Sequence, residues 1–368
     1  MVKIKDILLR LLVWCLVVLA VMVLGYFLLP SRYAPLAFLA PIYRSTFLLW
    51  SWANFDGEHY LLIAQYGYQM IAGQSEYAFF PLFPLVIRFV GMLLLGDYYL
   101  ASHLIVICSL IGFAYFLTRW TSKMGGKLYS ILLQELIFPG AIFLASIYTE
   151  PLYLFLTIIV FIFAENKQWG RAALFTAFAT ATRINGVFLV LFLLIKMFRQ
   201  KLTPLSIISN SLLSISGLLS YMTYLYLTTG NALSFYVAQS GWGKSTLTMP
   251  WDTVIRYTQA LTTGFIPDLT HLVVAVEVVV TLYLITLFVL SYIRHTLDLA
   301  YLIYCLGNLA LPLATGSLGS MPRFGLLLFP LFLVLGSFSK PKRVILYVVS
   351  GTLAVIGVIL FTRGYWWA

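Results

Sequence analysis

The stretch IKDILLRLLVWCLVVLAVMVLGYFLL, residues Ile4 to Leu29, decides the fold class of this chain. Its apolar run is long enough to cross a hydrocarbon core, which takes about 20 residues. The run is too long for the apolar part of a typical cleaved signal peptide, and no convincing cleavage site follows it. Lys3, Lys5 and Arg10 accompany its start. We therefore interpret it as a retained first transmembrane helix whose N-terminus lies on the cytoplasmic side.

The composition of the whole chain is that of a polytopic membrane protein. Of its 368 residues, 62% are hydrophobic and 10% are charged, whereas soluble domains have roughly 25% charged residues. The net charge of +11 could indicate a nucleic-acid binder, but the basic residues form short clusters between apolar runs, as cytoplasmic membrane loops do. We therefore expect membrane lipids as partners and no nucleic acid. The three cysteines lie in apolar stretches and indicate neither a metal nor a disulfide framework.

Apolar runs predict an all-α fold with about 11 transmembrane helices, in a single domain over residues 1–368 with long outer loops at 30–99 and 228–268. The predicted spans are 7–29, 100–118, 128–147, 151–164, 171–182, 186–198, 205–227, 270–293, 298–315, 324–339 and 344–361. An N-terminus inside places 15 of the 23 Lys and Arg residues on the cytoplasmic side.

The apolar run 79–96 is the one ambiguous element of this topology. If it crossed the membrane, every later span would be inverted, and the basic cluster at 119–127 would lie outside. We therefore predict a partly embedded helix on the outer face, within the first outer loop. Its Pro81, Pro84 and Arg88 also suit a lipid-interface element better than a clean crossing.

The first outer loop contains FDGEHYLLIAQYGYQ, residues Phe55 to Gln69, followed by EYAFFPLFP. Asp56, Glu58 and His59 stand together there, in a protein that otherwise avoids charge. Carboxylates suit the activation of a hydroxyl because they accept its proton as the new bond forms. From the residues alone, the D-x-E-H cluster could instead coordinate a divalent metal, or it could be a solvated acidic loop without a function.

Three further polar positions lie at predicted membrane boundaries. Glu150, in SIYTEPLY, is a candidate site residue or a turn cap before Pro151. Arg183 and Asn185 lie where two short helices are predicted to meet, and the arginine could hold a phosphate or pair with a structural carboxylate. Arg323, in GSLGSMPRFG, could clamp an anionic lipid head group or extend to the interface as a single exposed arginine.

The second outer loop carries SFYVAQSGWGKSTLTMPWD, in which Gln239, Trp242 and Lys244 combine aromatic and polar groups that could stack on and bind a sugar. Its GWGK string lacks the spacing of a phosphate-binding loop. Glu135 and Glu277 lie within predicted spans, where acidic groups are functional candidates. Glu277 could pair with an arginine or carry protons in a transporter.

Six strings, in their order along the chain, resemble the glycosylphosphatidylinositol mannosyltransferase II (PIG-V-like) family of GT-C glycosyltransferases. They are FDGEHYLLIAQYGY, AFFPLFPLVIR, FPGAIFLASIYTEPLYLF, ATRINGVFL, QSGWGKSTLTMPW and PRFGLLLFPLF, over about residues 50 to 335. The resemblance implies a multispan enzyme that takes a sugar from a polyprenyl- or dolichyl-phosphate carrier on the extracytoplasmic side. The short chain is more similar to the prokaryotic members than to the eukaryotic enzyme, so we expect the cell membrane, or the endoplasmic reticulum membrane in a eukaryote.

The same resemblance implies roles for residues within those strings. The family's acidic position corresponds to Asp56, which we expect to be the general base of an inverting transfer, with Glu58 and His59 orienting it. The family's R-x-N-G string corresponds to Arg183, Asn185 and Gly186, and its late arginine to Arg323. Together with the residues discussed above, we expect donor-phosphate binding by Arg323, Arg183 and Lys244, and substrate binding by Tyr60, Glu150, Asn185, Gln239 and Trp242.

The expected partners are a lipid-phosphate sugar donor, with mannose as the sugar, and a hydroxyl acceptor on a lipid, glycan or protein. No metal or other cofactor is expected. Two alternatives are a transporter or flippase of lipid-linked saccharides and an assembly subunit without activity.

Overall fold

A computed structural model of the chain describes residues 4–32, 47–71, 74–125, 128–242, 248–262 and 269–367. The described part is nearly all-helical, as the composition predicts. In chain order the helices are α1 (Ile4–Leu28), α2 (Phe47–Trp50), α3 (Asp56–Tyr66), α4 (Leu82–Leu93), α5 (Tyr98–Lys123), α6 (Leu128–Leu136), α7 (Glu150–Glu165), α8 (Trp169–Thr182), α9 (Gly186–Arg199), α10 (Pro204–Thr229), α11 (Ser234–Val237), α12 (Pro250–Thr262), α13 (Leu269–Ile293), α14 (Leu299–Ala314), α15 (Met321–Phe324) and α16 (Lys340–Thr362).

Short non-α elements complete the described fold. Two strands, β1 (Met70–Ile71) and β2 (Gln74–Ser75), pair antiparallel, with Met70 opposite Ser75. Five 3-10 segments lie at Ser51–Ala53, Glu76–Ala78, Ala141–Leu144, Ala238–Trp242 and Gly325–Ser337.

Five of the described helices, α1, α5, α10, α13 and α16, are long and apolar enough to cross a membrane. The chain is therefore a polytopic membrane protein. Shorter apolar helices such as α4 and α14 accompany them, and the expected total of about 11 crossings stays a prediction, as does the sidedness of the loops.

Several helix ends carry signals that are visible in the sequence. Asp97 accepts a hydrogen bond from the Leu100 N–H at 2.8 Å and so caps the start of α5. Thr203 caps α10 in the same way, just before Pro204. Helix α10 ends where Gly230 adopts a left-handed conformation (φ +75°).

The predicted span 128–147 is not one helix. Helix α6 ends at Leu136, and a turn containing Pro139 and Gly140 leads into the 3-10 segment Ala141–Leu144. A Cβ at Gly140 would lie 2.1 Å from the carbonyl oxygen of Pro322. The chain therefore turns here to let a distant backbone segment approach closely, and that segment leads directly to Arg323.

Packing brings the starts of several helices to one place. Helix α3 packs against α4 and α5 through a buried cluster that includes Tyr60, Phe83 and Ile105. Helix α8 lies along α7 and α10, while α9 contacts α8 and α14. The segment Gly325–Ser337, which is buried from Gly325 to Leu335, contacts both α13 and α14. As a result, the beginnings of α3, α7 and α15 and the α8–α9 break surround a common site.

Candidate active site

Helix α3 begins at Asp56, directly after a strained residue. Phe55 has φ +60°, a conformation that is costly for a bulky side chain and that tends to occur at functional sites. Neighbouring contacts hold it there, because Asn54 donates through Nδ2 to the carbonyl of Phe361 at 2.8 Å. The first turn of α3 then places Asp56 at the helix N-terminus, where a carboxylate is favoured by the helix dipole.

Tyr148 spans this strained turn. Its hydroxyl donates to the Asn54 carbonyl at 3.0 Å and accepts from the Asp56 N–H at 3.2 Å. The ring also faces the Arg323 guanidinium, whose Cζ lies 4.7 Å from the ring centroid. Tyr148 therefore holds the backbone of Asp56 and the cation of Arg323 at the same time.

An ion-pair network joins four residues that are far apart in sequence. Arg323 donates from Nη1 to Asp56 Oδ2 at 2.5 Å and from Nε to Glu150 Oε1. Arg183 donates from Nη1 to the same Glu150 oxygen and to Thr149 Oγ1, the latter at 2.9 Å. Two guanidinium groups and two carboxylates therefore share one buried site with balanced formal charge.

The four side chains of this network differ in their access to solvent. Glu150 is completely buried, and Arg183 and Arg323 are each 10% exposed. Asp56 is the most accessible at 16%. A substrate would therefore meet Asp56 first, while Glu150 lies behind the two arginines.

Two tyrosines beside the network stay protonated over the range of ordinary assays. Burial raises the pKa of Tyr60 to about 12, and burial likewise raises the pKa of Tyr148 well above its ordinary value. Both hydroxyls therefore act as neutral hydrogen-bonding groups. Tyr60 packs edge-to-face on Phe79, Phe83 and Tyr148, so α3 is tied directly to the aromatic ring that faces Arg323.

Glu58 and His59, the other two candidates of the acidic motif, are also buried. His59 lies 3.4 Å through Nδ1 from Glu76 Oε1 and stacks on the Phe79 ring, with centroids 5.0 Å apart. Glu76 is fully buried and also accepts from the Gln69 N–H at 2.9 Å. His59 on α3 therefore forms a separate buried pair with the carboxylate of Glu76, three residues along the helix from Asp56.

The other predicted site residues lie on elements beyond the four-residue network. Asn185 lies in the break between α8 and α9, where its Nδ2 donates to Asn308 Oδ1 at 2.8 Å. Gln239 is half-buried and lies, like Trp242, in the 3-10 segment Ala238–Trp242. Lys244 lies outside the described residues.

The burial and pairing of Arg323 and Arg183 bear on the alternative interpretations of these two arginines. Arg323 is buried and doubly paired, so it is not an arginine that extends to the interface. Arg183 does pair with a carboxylate, but that carboxylate, Glu150, is shared with Arg323. Among the described residues, no group of three or more His, Cys, Asp or Glu side chains is placed to hold a metal ion.

Tyr148, Thr149, Glu76 and Asn308 contact the predicted residues without being predicted themselves. Tyr148 and Thr149 directly precede Glu150 in SIYTEPLY, so their place in that string is a usable signal. Glu76 is the first residue of the string EYAFFPLFP, but the sequence does not indicate its pairing with His59, 17 residues away, or that of Asn308 with Asn185, 123 residues away.

Fold and site together define a nearly all-helical, polytopic membrane protein with a buried Arg–carboxylate network at the meeting point of several helix ends. The family model described as mannosyltransferase (PIG-V) matches residues 6–228. Since this match covers more than half of the chain, the protein belongs to that family of membrane glycosyltransferases.

Two curated proteins show the same relationship. The human GPI alpha-1,6-mannosyltransferase 2 is 32% identical over 179 residues, which cover 45% of this chain and 35% of the human protein. The protein of the same name from Cricetulus griseus is 35% identical over 161 residues, or 40% of this chain and 32% of that protein. The chain thus spans about a third of the length of the curated relatives it matches.

Proposed function

We propose that this chain is an inverting glycosyltransferase that moves mannose from a polyprenyl- or dolichyl-phosphate carrier to an acceptor hydroxyl on the extracytoplasmic side of the membrane. The observation that carries the proposal is the 2.5 Å contact between Asp56 and Arg323. It joins the proposed base and the proposed phosphate-binding cation in one site, within a member of a mannosyltransferase family.

The donor phosphate would bind at the arginines. A guanidinium presents a planar set of donors that matches a phosphate. Arg323 already donates to two anionic groups, the carboxylates of Asp56 and Glu150. An incoming phosphate would take the place of Asp56 on Arg323, while Glu150 keeps the cation oriented from behind. Arg183 and, from the second outer loop, Lys244 would add positive charge as the leaving phosphate gains negative charge.

Release from Arg323 would make the Asp56 carboxylate available as general base. The acceptor oxygen would attack the anomeric carbon as its proton passes to Asp56. The bond from that carbon to the phosphate oxygen would break, and the phosphate would leave with the electron pair. A single displacement of this kind inverts the configuration at the anomeric carbon.

The surrounding predicted residues would shape the substrate pocket. Glu150 would contribute to substrate binding by orienting both arginines, because it is completely buried and accepts from each of them. His59, held by Glu76, and Glu58 would position Asp56 and the acceptor. Tyr60, Asn185, Gln239 and Trp242 would line the pocket. No metal is required in this scheme, because the arginines neutralise the phosphate.

A transporter or flippase of lipid-linked saccharides is the alternative function. It is favoured by the non-helical break at residues 183–185, which places an arginine between two short helices. A transporter needs two membrane sides for a measurable product, whereas a glycosyltransferase does not.

The test uses purified protein in detergent with radiolabelled polyprenyl-phosphate mannose and a panel of hydroxyl acceptors. A glycosidic product formed without a bilayer supports the enzyme and excludes a pure flippase. Arg323→Lys should raise the donor KM about tenfold or more, since a lysine lacks the planar set of donors that lets Arg323 hold Glu150 and a second anion at the same time. Arg88→Ala, which removes an exposed arginine on α4 that takes no part in the network, serves as the control and should leave the donor KM unchanged. No product with any acceptor, from folded protein, would overturn the proposal.

A further inference from the structure

Helix α12, in the second outer loop, bonds to the segment that precedes Arg323. Thr253 donates through Oγ1 to the Leu313 carbonyl at 3.0 Å, and Arg256 donates through Nη1 to the Gly316 carbonyl at 2.9 Å. The Thr248 N–H also donates to the Ala314 carbonyl at 2.9 Å. The last carbonyls of a helix lack donors within the helix. The second outer loop therefore caps the end of α14 with its own side chains and backbone.

The same helix reaches a buried carboxylate. The Tyr257 hydroxyl donates to Glu277 Oε2 at 2.9 Å, and Glu277 on α13 is only 3% exposed. Gly319, in the loop before α15, also lies close to this carboxylate, because a Cβ there would be 3.9 Å from Glu277 Oε1, and α13 contacts α15. Glu277 is therefore held between α12 on one side and the loop before α15 on the other.

Ser320 determines how the chain enters α15. It has φ +73°, which a serine adopts only when its surroundings hold it there. Its carbonyl accepts from the N–H groups of Arg323 and Phe324, both at 2.9 Å. The direction in which Arg323 leaves the backbone therefore depends on Ser320, and the residue before it, Gly319, lies against Glu277.

We propose that Tyr257 and Glu277 are positioning residues for Arg323, and that through it they set the affinity for the donor phosphate. This inference rests on the proposed function, because it takes Arg323 as the phosphate-binding cation. It also gives Glu277 a role that needs no proton transport. The second outer loop then contributes to donor binding indirectly, because α12 contacts Glu277 and the segment 313–320 that precedes Arg323.

The test compares steady-state constants for donor and acceptor in the full-length protein. Tyr257→Phe removes only the hydroxyl and should raise the donor KM about tenfold, the equivalent of one hydrogen bond to a buried carboxyl group, with the acceptor KM unchanged. Glu277→Gln retains a carbonyl acceptor for Tyr257 and should show a smaller rise than Glu277→Ala. Tyr292→Phe, at a 62% exposed tyrosine on the same helix as Glu277, is the matched control and should behave as wild type.

A combined variant separates positioning from general loss of structure. If Tyr257 acts through Arg323, Tyr257→Phe should add little to the donor KM of Arg323→Lys. A purely structural role would instead lower the yield of folded protein and reduce turnover without moving the donor KM relative to the acceptor KM. That outcome would overturn the inference.

The result for the wild-type protein and Arg323→Lys distinguishes this inference from the proposed function. If the wild type transfers mannose and Arg323→Lys raises the donor KM while Tyr257→Phe does not, the inference fails and the function stands. If the wild type forms no product, the function itself fails.

Discussion

Among the four residues of the network, Glu150 should cause the largest loss of unfolding free energy when its charge is removed. It is completely buried, and one of its oxygens accepts from both Arg183 and Arg323. In Glu150→Gln, Arg323 keeps Asp56 at 2.5 Å, whereas Arg183 keeps the neutral Thr149 hydroxyl at 2.9 Å. One buried positive charge is then uncompensated. Breaking a buried pair in this way costs about 3–5 kcal/mol of unfolding free energy.

The measurement is equilibrium unfolding in mixed detergent micelles, with Glu165→Gln as the matched control. Glu165 also pairs with a cation, Lys196, at 2.6 Å, but its side chain is 20% exposed. Lys196 moreover keeps a second carboxylate, Asp298, at 2.5 Å. The control should therefore lose less unfolding free energy than Glu150→Gln, because its cation keeps a carboxylate partner.

A second variant examines the cause of the loss. Adding Arg183→Met to Glu150→Gln removes the uncompensated charge and should restore part of the unfolding free energy. Two results would show that an uncompensated charge is not the cause of the stability loss. Either Glu150→Gln is no more destabilising than Glu165→Gln, or the double variant is less stable than Glu150→Gln alone.

Three other perturbations address the same site. Gly140→Ala should strongly lower the melting temperature or the transfer rate, because the added Cβ would lie 2.1 Å from the Pro322 carbonyl oxygen. The control Gly336→Ala, whose Cβ would have no atom within 4 Å, should change neither thermal unfolding nor transfer. Tyr148→Phe should slow transfer about tenfold while the protein stays folded, because Asp56 and Asn54 each lose one hydrogen bond; an unchanged rate would contradict its positioning role. Chelation with EDTA should leave the transfer rate unchanged, and restoration of a lost rate by added Mg²⁺ or Mn²⁺ would contradict a scheme in which arginines alone neutralise the phosphate.

Much of the helical framework can be predicted because it depends on local pattern. The apolar runs at 7–29, 205–227 and 270–293 correspond closely to α1, α10 and α13. The break at Arg183 is also visible in the sequence, since two short apolar runs meet there. In contrast, the apolar run 128–147 predicts one span, and the turn at Gly140 interrupts it because a backbone segment from another part of the chain approaches there.

The site is predictable by residue type but not by partner. Asp56 and Arg323 stand out as charges at membrane boundaries, yet their contact joins positions 267 residues apart. Local sequence contains nothing that specifies such a pair. Glu277 is recognisable as an acid within a span, but its partner Tyr257 lies on a helix of the second outer loop. Only the packing of α12, α13 and the Arg323 loop reveals which groups hold this acid.

The most direct test of the central claim measures donor affinity and turnover together in Asp56→Asn. The claim is that Asp56 acts as the general base and also competes with the donor phosphate for Arg323. Turnover should therefore fall by about 10²–10⁴-fold, while the dissociation constant of the polyprenyl-phosphate mannose stays the same or becomes smaller. Wild-type turnover in folded Asp56→Asn, or a parallel loss of donor binding, would contradict the claim.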